Sequence, residues 1–319
     1  MKKHTFTDDS FGLALSFLMF GEFCGLTLDL LAKFLLETYP LSQFIFIRSV
    51  FALLIFSCLA PWYGGFESIK SERWQWHLLR AGLSIIAMYG FFYGITKMPL
   101  VNTLTLAFVS PLIVTALSST LLNEKVGWRR WIAVIMGFIG VLIILRPGNG
   151  TFSLASLSVL ASAFAYALLA VTARKLATTE STIAMSVYVL VGPLLASLFF
   201  LPENYTPPTS SAWITFFLAG VASVGVWLGY ISAYKKSSPV VLAPFEYIAL
   251  IGAAIAGYLI WDEIPDQYVI LGALIIICSG VFVAYREMDK TTSTRYLRGF
   301  RTAGINLLRK KFSKNNYPR

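Results

Sequence analysis

Between residues 11 and 285 one pattern recurs ten times: a window of about 20 mostly apolar residues, long enough for a helix to cross a bilayer, then a short polar connection. The windows fall near 11–36, 43–63, 76–96, 102–122, 129–146, 153–173, 182–201, 212–234, 240–260 and 268–285. In hydrocarbon a backbone amide has no water to bond, so segments of this length fold as helices. The expected class is an all-α integral membrane protein with ten transmembrane helices. With 57% hydrophobic and 13% charged residues, and short connections of which 64–75 and 202–211 are the longest, no soluble domain is expected between the spans. Lys2 and Lys3 ahead of Phe11 imitate a signal peptide. The apolar run continues past Glu22 to about Leu36 without a small-x-small cleavage site, so it reads as a retained first span.

Basic residues test the count, because cytoplasmic loops collect Lys and Arg. Of the 26, 21 fall before span one, after span ten or in the even-numbered connections, and the odd-numbered connections hold only Lys97 and Arg146. Lys33, Arg48 and Arg80 lie inside or at the edge of spans. Both termini are therefore expected in the cytoplasm. This asymmetry and the basic tail account for most of the net charge of +10, and no nucleic-acid motif accompanies it.

The two halves also echo one another. Pro99 to Val141 runs P-L-V, apolar, N-E-K-V, apolar, G-V; Pro239 to Val281 runs P-V-V, apolar, D-E-I-P, apolar, G-V. Five spans per half is odd, so the copies are expected upside down relative to one another, the arrangement of inverted-repeat carriers. The expected division is a first repeat at 11–146, a second at 153–286 and a basic cytoplasmic tail at 287–319. In that tail Leu297, Phe300, Gly304, Leu307 and Leu308 recur at helical spacing among basic residues, which suits a surface helix on anionic lipid or a disordered basic tail.

Cys24, Cys58 and Cys278 sit in apolar runs without paired spacing and read as small buried packing residues. His4 and His77 have no ligand-spaced companions. No metal or cofactor is expected, and the absence of a nucleophile–base pair within the spans argues against an enzyme. Expected partners are a small-molecule substrate and the lipid bilayer; a homodimer is left open.

A charge within a bilayer costs about 2.5–3.5 kcal/mol on insertion scales, so it faces a cavity or a partner. Span one carries Glu22, Asp29 and Lys33, whose spacings of 7 and 4 put them on one helical face, about 20° and 40° apart. Asp29 and Lys33 can neutralise each other, with Arg48 competing for Asp29; these three read as structural or gating charges, or as direct substrate contacts. Glu22 has no such neighbour and Glu246 follows Pro244, a residue that can open a helix by removing an N–H donor, as Pro111 can in span four. Both glutamates read as substrate-binding or proton-coupling groups. Tyr89, Phe92, Tyr93, Tyr166, Trp227, Tyr230, Tyr234 and Tyr247 join them as aromatic candidates, since carboxylates with aromatic faces suit an organic cation. Gly21, Gly25, Gly225 and Gly229 form small-x-x-x-small pairs that suit close helix crossings.

The ten-span count, the five-plus-five repeat, Asn123-Glu124 with Asp262-Glu263 near the ends of spans four and nine, and the G-V pairs together resemble the EamA branch of the drug/metabolite transporters. That resemblance implies a transporter of small metabolites built from two inverted EamA repeats around a central cavity. Within the family, L-D-L-L-A-K at 28–33, F-I-R at 46–48 and V-L-A-P-F-E-Y-I at 241–248 are similar to the S-adenosylmethionine uptake carriers. Their last pattern differs here, with Glu246 where an arginine is expected and Ala249 where a glutamate is. This implies uptake of a cationic or zwitterionic metabolite across the inner membrane, with an exporter of amino acids or drugs as the alternative. An intramembrane enzyme or a scaffold is the reading from a different class.

Overall fold

The computed structural model describes residues 8–63, 65–121, 127–146, 153–201, 205–237, 239–283 and 285. Asn123-Glu124 and the tail at 287–319, with its expected lipid-binding helix, lie outside them. The described residues form α-helices α1 (Asp8–Leu36), α2 (Leu41–Leu59), α3 (Trp74–Lys97), α4 (Leu100–Ala107), α5 (Ser110–Leu121), α6 (Trp128–Leu145), α7 (Leu154–Leu176), α8 (Thr182–Phe200), α9 (Ser210–Lys236), α10 (Pro239–Glu246), α11 (Ile248–Trp261) and α12 (Gln267–Val283). Two short 3-10 turns, Ala60–Tyr63 and Phe66–Ile69, follow α2. The ten apolar windows are all helical. Windows four and nine are each split, into α4 with α5 and α10 with α11.

The two splits are related. Phe108, just after α4, and Tyr247, just after α10, are 139 residues apart, the separation of the sequence echo, and their rings pack at 5.4 Å. The first split is closed by a turn bond from Val109 N–H to Leu106 O, and α11 opens with one from Leu250 N–H to Tyr247 O. Span four is open close to Pro111, but the break precedes the proline. Pro111 lies in the first turn of α5, where its missing N–H would have had no partner anyway.

Contacts between helices obey the same exchange. α1 packs on α9 as α7 packs on α3, and α2 on α9 as α8 on α3. The α1–α9 crossing is a backbone contact: a Cβ on Gly229 would stand 2.6 Å from Gly21 Cα and 2.7 Å from Phe17 O. Gly90 is the counterpart of Gly229 at 139 residues' separation. A Cβ there would stand 2.4 Å from Ser158 O of α7. Without a hydrophobic force between helices in lipid, close approach of small residues holds such crossings together. The G-V positions behave alike, since Gly140 of α6 meets the Gly272 carbonyl of α12 and Gly280 lies under the Tyr247 ring.

The cysteines differ from expectation. Cys24 is half-buried, and Cys58 and Cys278 are exposed on the outer surface of the bundle. In a membrane protein that surface is apolar too, so an apolar run does not identify a core face.

At one end of the bundle the D-E motif acquires a structural meaning. Asp262 takes a left-handed conformation (φ 52°), which ends α11 and which Asp and Asn tolerate better than most residues. Glu263 then turns back, accepting a 2.9 Å bond from Leu100 N–H at the start of α4 and pairing with Lys33 of α1. A helix N-terminus left bare by Pro99 is thus capped from the other half of the chain. Lys33 also lies over the Trp261 ring at 4.7 Å.

Candidate functional site

A cavity of about 170 Å³ lies at the centre of the bundle, lined from α1, α2, α3, α4, α5, α7, α9, α10 and α11. Glu22 and Asp29 enter it from α1, Arg48 from α2, Arg80 from α3, Tyr166 from α7, Trp227, Tyr230 and Tyr234 from α9, and Glu246 lies at the end of α10.

One wall is a connected row of acids and phenols. Because Gly21 touches Gly229, the next residues, Glu22 and Tyr230, come together, and the Tyr230 hydroxyl donates to Glu22 Oε1 at 2.9 Å. Tyr230 stacks on Tyr234, 5.8 Å between centroids, and the Tyr234 hydroxyl donates to Glu246 Oε1 at 3.0 Å. The Tyr166 ring stacks near that of Trp227 at 6.5 Å and supplies a second aromatic surface. Two carboxylates oriented by phenols beside aromatic faces can hold an organic cation by charge and by ring attraction.

Two arginines also line the cavity. Arg48, 1% exposed, donates to Ser223 Oγ at 3.0 Å and to Met88 Sδ at 2.8 Å, lies over the Phe44 and Phe92 rings and is within electrostatic reach of Asp29. Arg80 is wholly buried and donates through Nη1 to Leu169 O and Thr172 Oγ1, both at 2.8 Å.

Nine sequence candidates, Glu22, Glu246, Phe92, Tyr166, Trp227, Tyr230, Tyr234, Asp29 and Arg48, line this one cavity. Four lie outside it. Tyr89 packs against Phe200, Tyr93 is half-buried elsewhere on α3, and Tyr247 is buried at the split, its hydroxyl 3.5 Å from Ile276 O. Lys33 pairs with Glu263 rather than with Asp29 as expected, because the carboxylate brought in by the α11 turn faces it directly. Asp29 makes no hydrogen bond or ion pair among the described residues and is left to the cavity.

This arrangement of paired helices about a central polar cavity has relatives. The profile of the EamA-like transporter family matches residues 12–146 and again 153–285. The chain belongs to the EamA family. It is therefore a multi-pass membrane transporter built from two repeats. It is 29% identical to the S-adenosylmethionine uptake transporter of Rickettsia prowazekii (strain Madrid E) over 83% of this chain and 90% of the relative. It is 32% identical to the riboflavin transporter of Vibrio cholerae over 72% and 78%, and 26% identical to a pseudopaline exporter of Pseudomonas aeruginosa over 81% and 90%. One solved crystal structure shares the fold, with a TM-score of 0.64 at 17% identity, over 85% of this chain and 98% of its own.

One charged cavity residue of this EamA protein, Arg80, escaped the sequence candidates. Arg80 lies early in α3 and reads as a charge at a span edge, although a charge in an apolar window is itself the signal.

Proposed function

We propose that this EamA protein is a secondary transporter that moves a cationic or zwitterionic metabolite of the S-adenosylmethionine type across the cytoplasmic membrane, with both termini in the cytoplasm. The observation that carries the reading is the row Glu22–Tyr230–Tyr234–Glu246 along one wall of the central cavity. Two carboxylates in a water-poor site repel one another unless a cation or proton stands with them. A sulfonium or ammonium ligand supplies that charge, and Trp227 with Tyr166 supplies aromatic faces. The likeness to S-adenosylmethionine uptake transporters agrees with this ligand class.

Alternating access follows from the antiparallel repeats, which can rock about a cavity near mid-membrane. Asp29 with Arg48 belongs to the cavity's charge balance, and Lys33 with Glu263 closes one end. The test is uptake of labelled S-adenosylmethionine, choline, riboflavin and neutral amino acids into proteoliposomes, with and without a pH gradient. Loading the vesicles instead tests export. S-Adenosylmethionine uptake that falls at least tenfold in Glu22→Gln and in Glu246→Gln is expected. Wild-type rates in both variants would refute the site; movement of riboflavin alone would refute the substrate class.

A further inference from the structure

We propose that Arg80 is the receptor for a carboxylate on the transported molecule, so that the cavity takes a ligand with two cationic groups and one anionic group. This rests on the cavity being the substrate site. Arg80 is 0% exposed and lines the cavity, yet its two described hydrogen-bond partners, Leu169 O and Thr172 Oγ1, are both neutral. Its Nε has no partner, and Arg80 makes no ion pair among the described residues. A guanidinium cannot shed its proton to escape such a site, and an unpaired buried cation is strongly destabilising. It cannot reach lipid headgroups either, because its side chain is packed between α3 and α7 inside the bundle. The missing anion must come through the cavity.

Arg48 is the instructive contrast. It too is buried with an unpartnered Nε, but Asp29 is within its electrostatic reach and two phenyl rings cover it. Counting the Asp29 charge against that of Arg48, the cavity lining carries two further carboxylates, Glu22 and Glu246, and one further guanidinium, Arg80. The complement is a molecule with two positive groups and one carboxylate. S-Adenosylmethionine, with sulfonium, ammonium and carboxylate, has that set, and so does arginine. Choline and riboflavin do not. A guanidinium presents a fork of N–H donors that matches a carboxylate, and its fixed hydrogen bonds to α7 hold it in position before the ligand arrives.

The experiment compares each acid with its decarboxylated amine on the purified full-length protein: S-adenosylmethionine against decarboxylated S-adenosylmethionine, and arginine against agmatine. Binding to wild type, Arg80→Gln and Arg80→Lys is measured by equilibrium dialysis of labelled ligand. A hydrogen-bonded charge contact is worth about 10- to 100-fold in affinity. Wild type is expected to prefer the acid by that factor. Arg80→Gln should remove the preference by weakening the acid while leaving the amine unchanged or tighter, and Arg80→Lys should restore part of it. Equal weakening of acid and amine in Arg80→Gln would make the residue merely structural and overturn the proposal. So would a wild-type protein that binds no acid in preference to its amine, a comparison that needs no variant to fold. If wild type prefers arginine to agmatine in an Arg80-dependent way and ignores S-adenosylmethionine, the substrate proposed above falls while Arg80 keeps its role. If it binds S-adenosylmethionine and the decarboxylated form equally, the reverse holds.

Discussion

Substituting Gly229 by alanine tests the link between helix packing and the site. The added Cβ would stand 2.6 Å from Gly21 Cα, 2.7 Å from Phe17 O and 2.8 Å from Gly21 N, whereas ordinary contact begins at 3.4 Å. All three are backbone atoms, so no side chain can swing away, and α1 must retreat by about 0.6–0.8 Å in a densely packed interface. Overpacking of this kind costs roughly 1–3 kcal/mol. Alanine also favours helix over glycine by about 1 kcal/mol, which would blur the reading. Gly82→Ala cancels that term, because Gly82 lies within α3 and a Cβ added there meets nothing within 4 Å. Gly229→Ala should therefore be less stable than Gly82→Ala by the overpacking term alone, at about 2–4 °C in melting temperature per kcal/mol. The same retreat stretches the 2.9 Å Tyr230–Glu22 bond beyond useful length, so uptake should fall as well. Melting is followed by monodispersity after heating in detergent, and uptake in proteoliposomes. Equal melting temperatures and equal uptake for the two variants would refute the backbone crossing and its role in aligning Glu22.

Further outcomes follow from single contacts. Tyr234→Phe takes the phenol from Glu246 at the expense of about 1–3 kcal/mol of contact energy, and should raise the half-saturating concentration for uptake more than it lowers the melting temperature. Lys33→Met and Glu263→Gln should each destabilise the protein, and the double variant should recover about 0.5–3 kcal/mol relative to additivity, measured by a thermal double-mutant cycle. Additive losses would show that the pair does not act as a unit. At the start of α12, partial desolvation of Asp266 is outweighed by hydrogen bonds from Val269 N–H, Arg146 and Tyr268 N–H, which hold its carboxyl below the usual range. A depressed folded value stabilises above the unfolded pKa and loses that contribution as the pH falls through the folded one. The side chain is 43% exposed, so screening keeps the term below about 1 kcal/mol, and Asp266→Asn should flatten melting temperature between pH 5 and pH 3 only slightly.

The spans were legible because the bilayer imposes a length on every crossing segment, whatever its sequence. The splits were legible only in part. Pro111 and Pro244 marked the two spans that open, but the breaks fall at Phe108–Val109 and Tyr247, residues that carry no breaker of their own. Charges in the spans pointed to Glu22, Asp29, Arg48 and Glu246 because burying them is expensive without a purpose. Aromatic identity pointed less well, since Tyr93 and the cavity-lining Phe92 are neighbours on α3 that differ only in the face they occupy. The Lys33 partner lies 230 residues away, where helical spacing within α1 has nothing to say.

The matched crossings at Gly229 and Gly90 bear on the resting state of the protein. Exchanging the two halves carries one crossing onto the other, so in a carrier that rocks as proposed the glycine crossing of one repeat is mirrored in the other whichever face is open. A preference for one face then falls to contacts without a counterpart in the other half. The buried His77–Glu180 pair at 3.0 Å is such a contact. It is a weight on a nearly level balance.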